Sequence, residues 1–269
     1  MSSTGRAHLV QSDTAWEDKP ENFARISRLL DAAPIAPGDL VVLVEMFDTG
    51  FSFNLPRTAD TDCQTLEFIR RTAASRGITL QGSRTVLGPE GKGRNRVTVA
   101  GPDGAVLCEY DKIHPFSFGK ESEHFVGGTE VTTYRWGGTV VCPLICYDLR
   151  FPEAFRAGMR MGAEVFTVPA NWPAPRKTHR RALGIARAIE NQAYVLCINR
   201  VGQEPPTQGG GGVTYDGGSY AADYMGELVA DGDDGRARVL SVDLDLQGLR
   251  RWREKFPALR DARLLDRPS

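Results

Sequence analysis

The stretch TVVCPLICYDLRFPEAFRAGMRMGAEVFTVPAN, residues 139–171, decides the fold class. Residues 139–146 form an apolar run of the kind found in buried strands. Pro152 suits a first helical turn, and PEAFRAGMRMG continues as a helix. AEVFTVPAN then reads as a second strand, and strand–helix–strand without a long linker is an α/β pattern. Upstream, ENFARISRLLDA (21–32) sets Phe23, Ile26, Leu29 and Leu30 at helical spacing and is ended by Pro34 and Pro37-Gly38. LVVLVE (40–45) predicts another buried strand, and Leu66, Ile69 and Ala73 mark a helix closed by Gly77. ITLQGSR, RVTVA and AVLCEYDK read as short strands, the last after the turn Pro102-Asp103-Gly104. Downstream come a helix over 177–192, the strand YVLCINRVG and a hairpin about Met225-Gly226. The strand ARVLSVDLD and the helix LQGLRRWREKF follow, so a single α/β domain over residues 1–269 is expected.

Composition excludes several classes. Of 269 residues, 41% are apolar and 25% charged, which argues against disorder, collagen and fibres. Lys+Arg 33 against Asp+Glu 34 leaves a net charge of −1, so the electrostatic motive for binding nucleic acid or an anionic membrane is missing. No apolar run reaches the roughly 18 residues of a membrane helix. MSSTGRAHLVQSD has no apolar core behind a basic start, so no secretory signal is expected. Cys63, Cys108, Cys142, Cys146 and Cys197 form no CxxC pair, which argues against a disulfide framework or a zinc ribbon. A cytoplasmic protein with reduced thiols is the expectation. Lysine is scarce beside arginine, which makes each lysine worth inspecting.

Three apolar runs end in a reactive side chain: LVVLV in Glu45, AVLCEYD in Lys112 and TVVCPLI in Cys146. Ligand sites of α/β sheets gather beyond strand carboxyl ends. Cys146 is the best nucleophile candidate, because it stands at a strand-to-helix junction where a helix N-terminus favours the thiolate. The other four cysteines lie within the strand or periodic segments and read as structural. A Cys–His site using His8, His114, His124 or His179 is a rival, but His114 reads as a hydrogen-bonded structural residue. A phosphatase-type loop needs cysteine and arginine six apart, whereas Arg150 follows Cys146 by four. The four histidines are too scattered for a metal site. The glycine run Gly209–Gly212 reads as a surface loop, with a lid as the alternative.

EMFDTGF (45–51), YDKIHPF (110–116) and CYDLRFPEAFR (146–156) resemble the three signature blocks of the nitrilase superfamily, the carbon–nitrogen hydrolases. The resemblance extends through PANWP (169–173), RAIENQAYVLCINRVG (187–202) and SYAADYMGELV, so it spans nearly the whole chain in order. It implies a four-layer αββα sandwich. It also implies that Glu45 is the general base, Lys112 the oxyanion stabiliser and Cys146 the nucleophile, with Glu121 holding Lys112 and the substrate. The Tyr147 N–H would complete the oxyanion hole, and Arg150, Asn171 and Trp172 would bind substrate. The implied reaction is amide hydrolysis through a thioester, without metal or organic cofactor. EMFDTGF resembles the ω-amidase branch, acting on 2-oxoglutaramate-like amides; alternatives are a deaminated-glutathione amidase, a carbamoyl-amide hydrolase, or a scaffold that has lost catalysis. A distal carboxylate would need a cation, for which Arg150, Arg176 and Lys177 are candidates. A homodimer or higher homo-oligomer is implied, with no nucleic-acid or membrane partner. Two departures stand out: Val44 replaces a proline before the glutamate, and THRRAL (178–183) lacks a tryptophan after His179.

Overall fold

The computed structural model describes residues 4–206, 212–232 and 235–263. The first part of the chain forms β1 (Thr4–Gln11), α1 (Lys19–Asp31), β2 (Leu40–Val42), α2 (Leu55–Thr58), α3 (Gln64–Arg76), β3 (Thr79–Leu87), β4 (Gly93–Ala100), β5 (Val106–Asp111) and α4 (Glu121–His124). Then come β6 (Tyr134–Trp136), β7 (Thr139–Pro143), α5 (Pro152–Arg160), β8 (Val165–Ala170), α6 (Lys177–Asn191) and β9 (Tyr194–Asn199). The last part holds β10 (Val201–Gln203), β11 (Thr214–Asp216), β12 (Tyr220–Ala222), β13 (Leu228–Asp231), β14 (Arg238–Asp245) and α7 (Leu246–Lys255).

Unbroken aliphatic runs become the parallel centres of two six-stranded sheets, ordered β14-β1-β2-β3-β4-β5 and β13-β12-β9-β8-β7-β6. In the first, β1–β2–β3 run parallel between antiparallel edges; in the second, β7–β8–β9 do the same. The inner faces pack together. The Tyr134 and Thr167 hydroxyls of one sheet both donate to Gln81 Oε1 of the other, at 3.1 and 2.9 Å. α1 and α3 cover the outside of the first sheet with Ile26, Leu30, Ile69 and Ala73. α5 and α6 cover the second. At Gly158 of α5 an added Cβ would lie 2.7 Å from Cys142 Sγ and from the Phe166 ring, so only glycine lets the helix seat this closely. The result is the expected single-domain αββα sandwich. No helix among the described residues is long and apolar enough to cross a membrane.

Three local differences from the sequence expectations have physical causes. Residues 4–11 form a strand although Arg6 and His8 interrupt their apolar pattern, because β14 supplies partners from far along the chain. Arg6 pairs with Asp243 at 2.8 Å, and His8 lies between Ser241 and Asp39 at 2.9 and 2.8 Å. The 40–45 run stays in a ladder only to Val42. Leu43 N still donates to Gln81 O at 2.9 Å, after which the chain leaves the sheet towards Met46, a left-handed residue. Cys63 is no core residue: it is exposed, at the N-cap of α3. The lid expectation for Gly209–Gly212 falls largely on residues 207–211, which lie outside the described set.

Asp48 is fully buried and accepts a hydrogen bond from Thr65 Oγ1 at 2.7 Å. Burial pushes its carboxyl up to about 6. The native state therefore holds this proton more tightly than the unfolded chain, so stability falls as pH rises from the ordinary carboxylate range to about 6 and stays flat above it. Asp48→Asn should raise stability at pH 7.5 by an amount on the order of 2–3 kcal/mol, read as a higher calorimetric midpoint, and change it little at pH 4.

Candidate active site

The residues singled out by the sequence converge at the carboxyl ends of the strands. Glu45 lies just beyond β2, Lys112 directly after β5, Cys146 just beyond β7 and Asn171 directly after β8. Lys112 is 1% exposed, and Glu45 and Glu121 are completely buried. The Lys112 ammonium donates to Glu45 Oε1 at 2.9 Å and to Glu121 Oε2 at 2.8 Å. Its Nζ also lies 5.3 Å from the centre of the Phe51 ring. Burial opposes this charge, yet the two carboxylates outweigh it and hold the ammonium above its ordinary value.

Two carboxylates around one ammonium leave an excess of negative charge that only neutral donors can offset. Asn95 Nδ2 donates to Glu45 Oε1 at 2.8 Å and to Glu121 Oε1 at 3.4 Å. Asn171 gives its backbone N–H to Glu45 Oε2 at 2.8 Å, and its side-chain amide to Oε2 and to the Glu45 carbonyl. Phe116 N donates to Glu121 Oε2. Asn95 itself is held by Ser83, whose hydroxyl donates to its Oδ1 at 2.8 Å. Val44 is buried, so the missing proline leaves Glu45 anchored through these contacts.

Cys146 begins a short 3-10 turn (Cys146–Arg150) and has φ +44°, a conformation that a non-glycine residue keeps only when its surroundings enforce it. Asp148 does the enforcing. Its carboxylate accepts from Ile145 N at 2.9 Å, from the Tyr110 hydroxyl at 2.8 Å and from His114 N at 3.1 Å. His114 Nδ1 also contacts it at 2.8 Å, and the imidazole stacks on Phe151, 3.7 Å between centres. This is the structural role expected for His114. The electrostatics at Cys146 run against the expected ease of thiolate formation. Burial pushes the Cys146 thiol well above its ordinary value, and Glu45 adds to this more than Lys112 opposes it. The pull of the helix terminus is outweighed, because a short turn next to two carboxylates in a largely buried site disfavours another anion.

A cavity of about 1100 Å³ opens above Cys146. Tyr147, Arg150, Asn171, Trp172 and Arg176 line it, together with Phe51, Phe53, Phe116 and Tyr215. The Arg150 guanidinium lies 4.9 Å over the Trp172 ring, and that of Arg176 5.6 Å over Phe116. Lys177 is not in the wall and pairs with Asp216 at 3.7 Å. The wall also includes Glu204, a buried carboxyl raised by desolvation that accepts from Tyr215 Oη at 2.7 Å. Among the described residues no three His, Cys, Asp or Glu side chains are grouped as a metal site.

Sequence reasoning missed Asn95 and Asp148. Asn95 had a signal, a polar residue on the same inward face of β4 as Val97 and Val99. Asp148 had none, since its partners beyond its own turn, Tyr110 and His114, come from a segment more than thirty residues away. Asp148→Ala leaves those donors unpaired in the interior, so it should lower stability by about 3 kcal/mol, a fall on the order of 6–12 °C in the melting midpoint.

The sequence profile of the Carbon-nitrogen hydrolase family matches residues 6–254. The ω-amidase YafV of Yersinia enterocolitica is 36% identical, over 96% of this chain and 97% of that protein. The 2-oxoglutaramate amidase of Bacillus subtilis is 30% identical, over 94% and 96%. Among solved structures, the XC1258 protein of Xanthomonas campestris, a CN-hydrolase superfamily member with an arsenic adduct in its active site, superposes with a TM-score of 0.88 at 32% identity, covering 96% of this chain and 97% of that one. Matches that run from β1 to α7 and take in every block around the buried cluster make this chain a member of the carbon–nitrogen hydrolase family, a hydrolase of carbon–nitrogen bonds other than peptide bonds.

Proposed function

We propose that this hydrolase releases ammonia from the ω-amide of a small dicarboxylic acid, of the 2-oxoglutaramate kind, through a thioester on Cys146. One observation carries the reading. Cys146 shares its cavity with Arg150 and Arg176, which lie over aromatic rings at 4.9 and 5.6 Å and have no carboxylate partner among the described residues. A planar cation whose nearest partner is a ring face, and not a carboxylate, keeps N–H groups for a substrate carboxylate. The names of the relatives, ω-amidase and 2-oxoglutaramate amidase, support the same substrate class.

In this reading Cys146 Sγ attacks the amide carbon while Glu45 takes the thiol proton. Lys112 and the Tyr147 N–H hold the tetrahedral oxyanion. Glu121 keeps Lys112 in place, and Asn171 and Trp172 border the acyl group. Collapse breaks the C–N bond, and the departing amine takes the proton from Glu45 as ammonia. Water then gives a proton to Glu45 and adds to the thioester. Breakdown returns that proton to Sγ and frees the acid. These steps balance with water alone and call for no metal or organic cofactor. A larger ω-amide such as deaminated glutathione is the second reading, favoured by a cavity of about 1100 Å³.

We place the enzyme in the cytoplasm, where its five cysteines would stay reduced. A homodimer is proposed through the α5–α6 side, where Met161, Ile189 and Met225 are exposed. Light scattering at micromolar concentration should return twice the 29.5 kDa chain mass.

Ammonia release from a panel of ω-amides, carbamoyl amides, nitriles and neutral amides tests the substrate. The ratio kcat/KM for 2-oxoglutaramate should exceed that for a neutral amide of equal length by about 100-fold; weak, even rates across the panel would overturn the assignment. Glu45→Gln tests the proton path with two opposed readouts. Hydrolysis should drop by at least about 1000-fold. Alkylation of Cys146 by iodoacetamide at pH 8 should quicken, because the Glu45 charge that raises the thiol is gone. Lys112→Arg should be inactive as well, since a planar fork cannot occupy the place of a compact ammonium between two carboxylates.

A further inference from the structure

Arg180 of α6 is 2% exposed and has no carboxylate in ion-pairing distance among the described residues. Its Nη2 donates to the carbonyls of Gly217 and Gly218, at 2.8 and 2.6 Å. Its Nε and Nη1 have no hydrogen-bond partner among the described residues, and its guanidinium lies 5.6 Å over the Tyr220 ring. A buried guanidinium without a counter-ion carries a desolvation cost that an apolar side chain of the same volume would not, so its presence is not explained by stability. What it does accomplish is to fix two carbonyls. Gly217 and Gly218 both have left-handed backbones, at φ +69° and +65°, a segment that needs outside contacts to hold one shape.

The fixed Gly217 carbonyl passes the constraint on. It also accepts from Asn199 Nδ2 at 2.9 Å. The same amide donates to Trp172 O at 3.1 Å, while Trp172 N donates to Asn199 Oδ1 at 2.7 Å. Trp172 is in turn the meeting point of the two cavity arginines: its ring lies under Arg150, and its Nε1 donates to Arg176 O at 2.8 Å. The charged cluster of Glu45, Lys112 and Glu121 is held by other residues, Asn95, Asn171 and Phe116.

We propose that Arg180 is a positioning residue for substrate specificity: through Gly217, Asn199 and Trp172 it sets where Arg150 and Arg176 present their guanidinium groups. The inference rests on the reading of those two arginines as partners of the substrate carboxylate. Loosening Arg180 therefore weakens the binding of anionic amides and spares the chemical step.

The experiment compares full-length wild type, Arg180→Met and Arg180→Lys on 2-oxoglutaramate and on butyramide, with kcat and KM measured separately. For Arg180→Met, KM for 2-oxoglutaramate should rise about tenfold with kcat within about threefold, while both constants for butyramide stay within about twofold. Arg180→Lys keeps the charge without the fork, and should give the same split at smaller amplitude. If Arg180→Met does not fold, the lysine variant alone decides. Equal losses on both amides, or no change on either, would overturn the proposal, and full recovery with lysine would too, since it would make Arg180 only a distant attractive charge. A wild type with no preference for the anionic amide would instead overturn the underlying substrate reading.

Discussion

The buried cluster of Glu45, Lys112 and Glu121 is the constraint on which the rest of the structure depends. Two carboxylates and one ammonium sit almost wholly out of water, an arrangement that is costly unless every oxygen is supplied with donors. The donors come from separate places: Asn95 on β4 of one sheet, Asn171 after β8 of the other, and Phe116 N in the turn after Lys112. The charges are therefore tolerable only when both sheets are folded and in register. Disturbing the packing between the sheets disturbs the chemistry, because the same hydrogen bonds serve both.

The cluster also governs the nucleophile. Cys146 stands beside an excess of negative charge at the floor of the cavity, where burial and Glu45 hold its thiol well above the ordinary range. Asp148 supplies the complementary rigidity. One buried carboxylate joins the turn at Cys146 to the segment carrying Lys112, through Ile145, Tyr110 and His114, so nucleophile and ammonium share one frame.

The cavity above this frame has another character. Its wall is largely aromatic, and its cations lie against rings, which fixes them in place without cancelling their charge. Trp172 links this wall to the interior, for its backbone is tied to Asn199 and its indole to both arginines. Chemistry and recognition thus rest on two hydrogen-bond systems that meet in the adjacent residues Asn171 and Trp172.

Much of this was legible in the residues themselves. Apolar runs such as 139–146 and 165–170 declare buried strands through uninterrupted hydrophobicity, and the blocks around Glu45, Lys112 and Cys146 carry the family resemblance in contiguous residues. Glu121 was found the same way. Asn95 showed only as a polar residue on an inward strand face. Arg6 and His8 hid β1, because a charge within a strand looks unfavourable until its partner is known. The protonation of Cys146, the choice of Arg150 and Arg176 over Lys177 as cavity cations, the bracing by Asp148 and the reach of Arg180 had no local signal. Sequence pattern by itself determined the α/β class and most of the buried strands, since these follow from short-range hydrophobicity; the order of the layers and the candidate roles of Glu45, Lys112 and Cys146 came from the family resemblance of contiguous blocks. Tertiary structure alone decided the electrostatic surroundings of these side chains and which cations line the cavity, since burial and the distance between charges depend on residues brought together from remote parts of the chain.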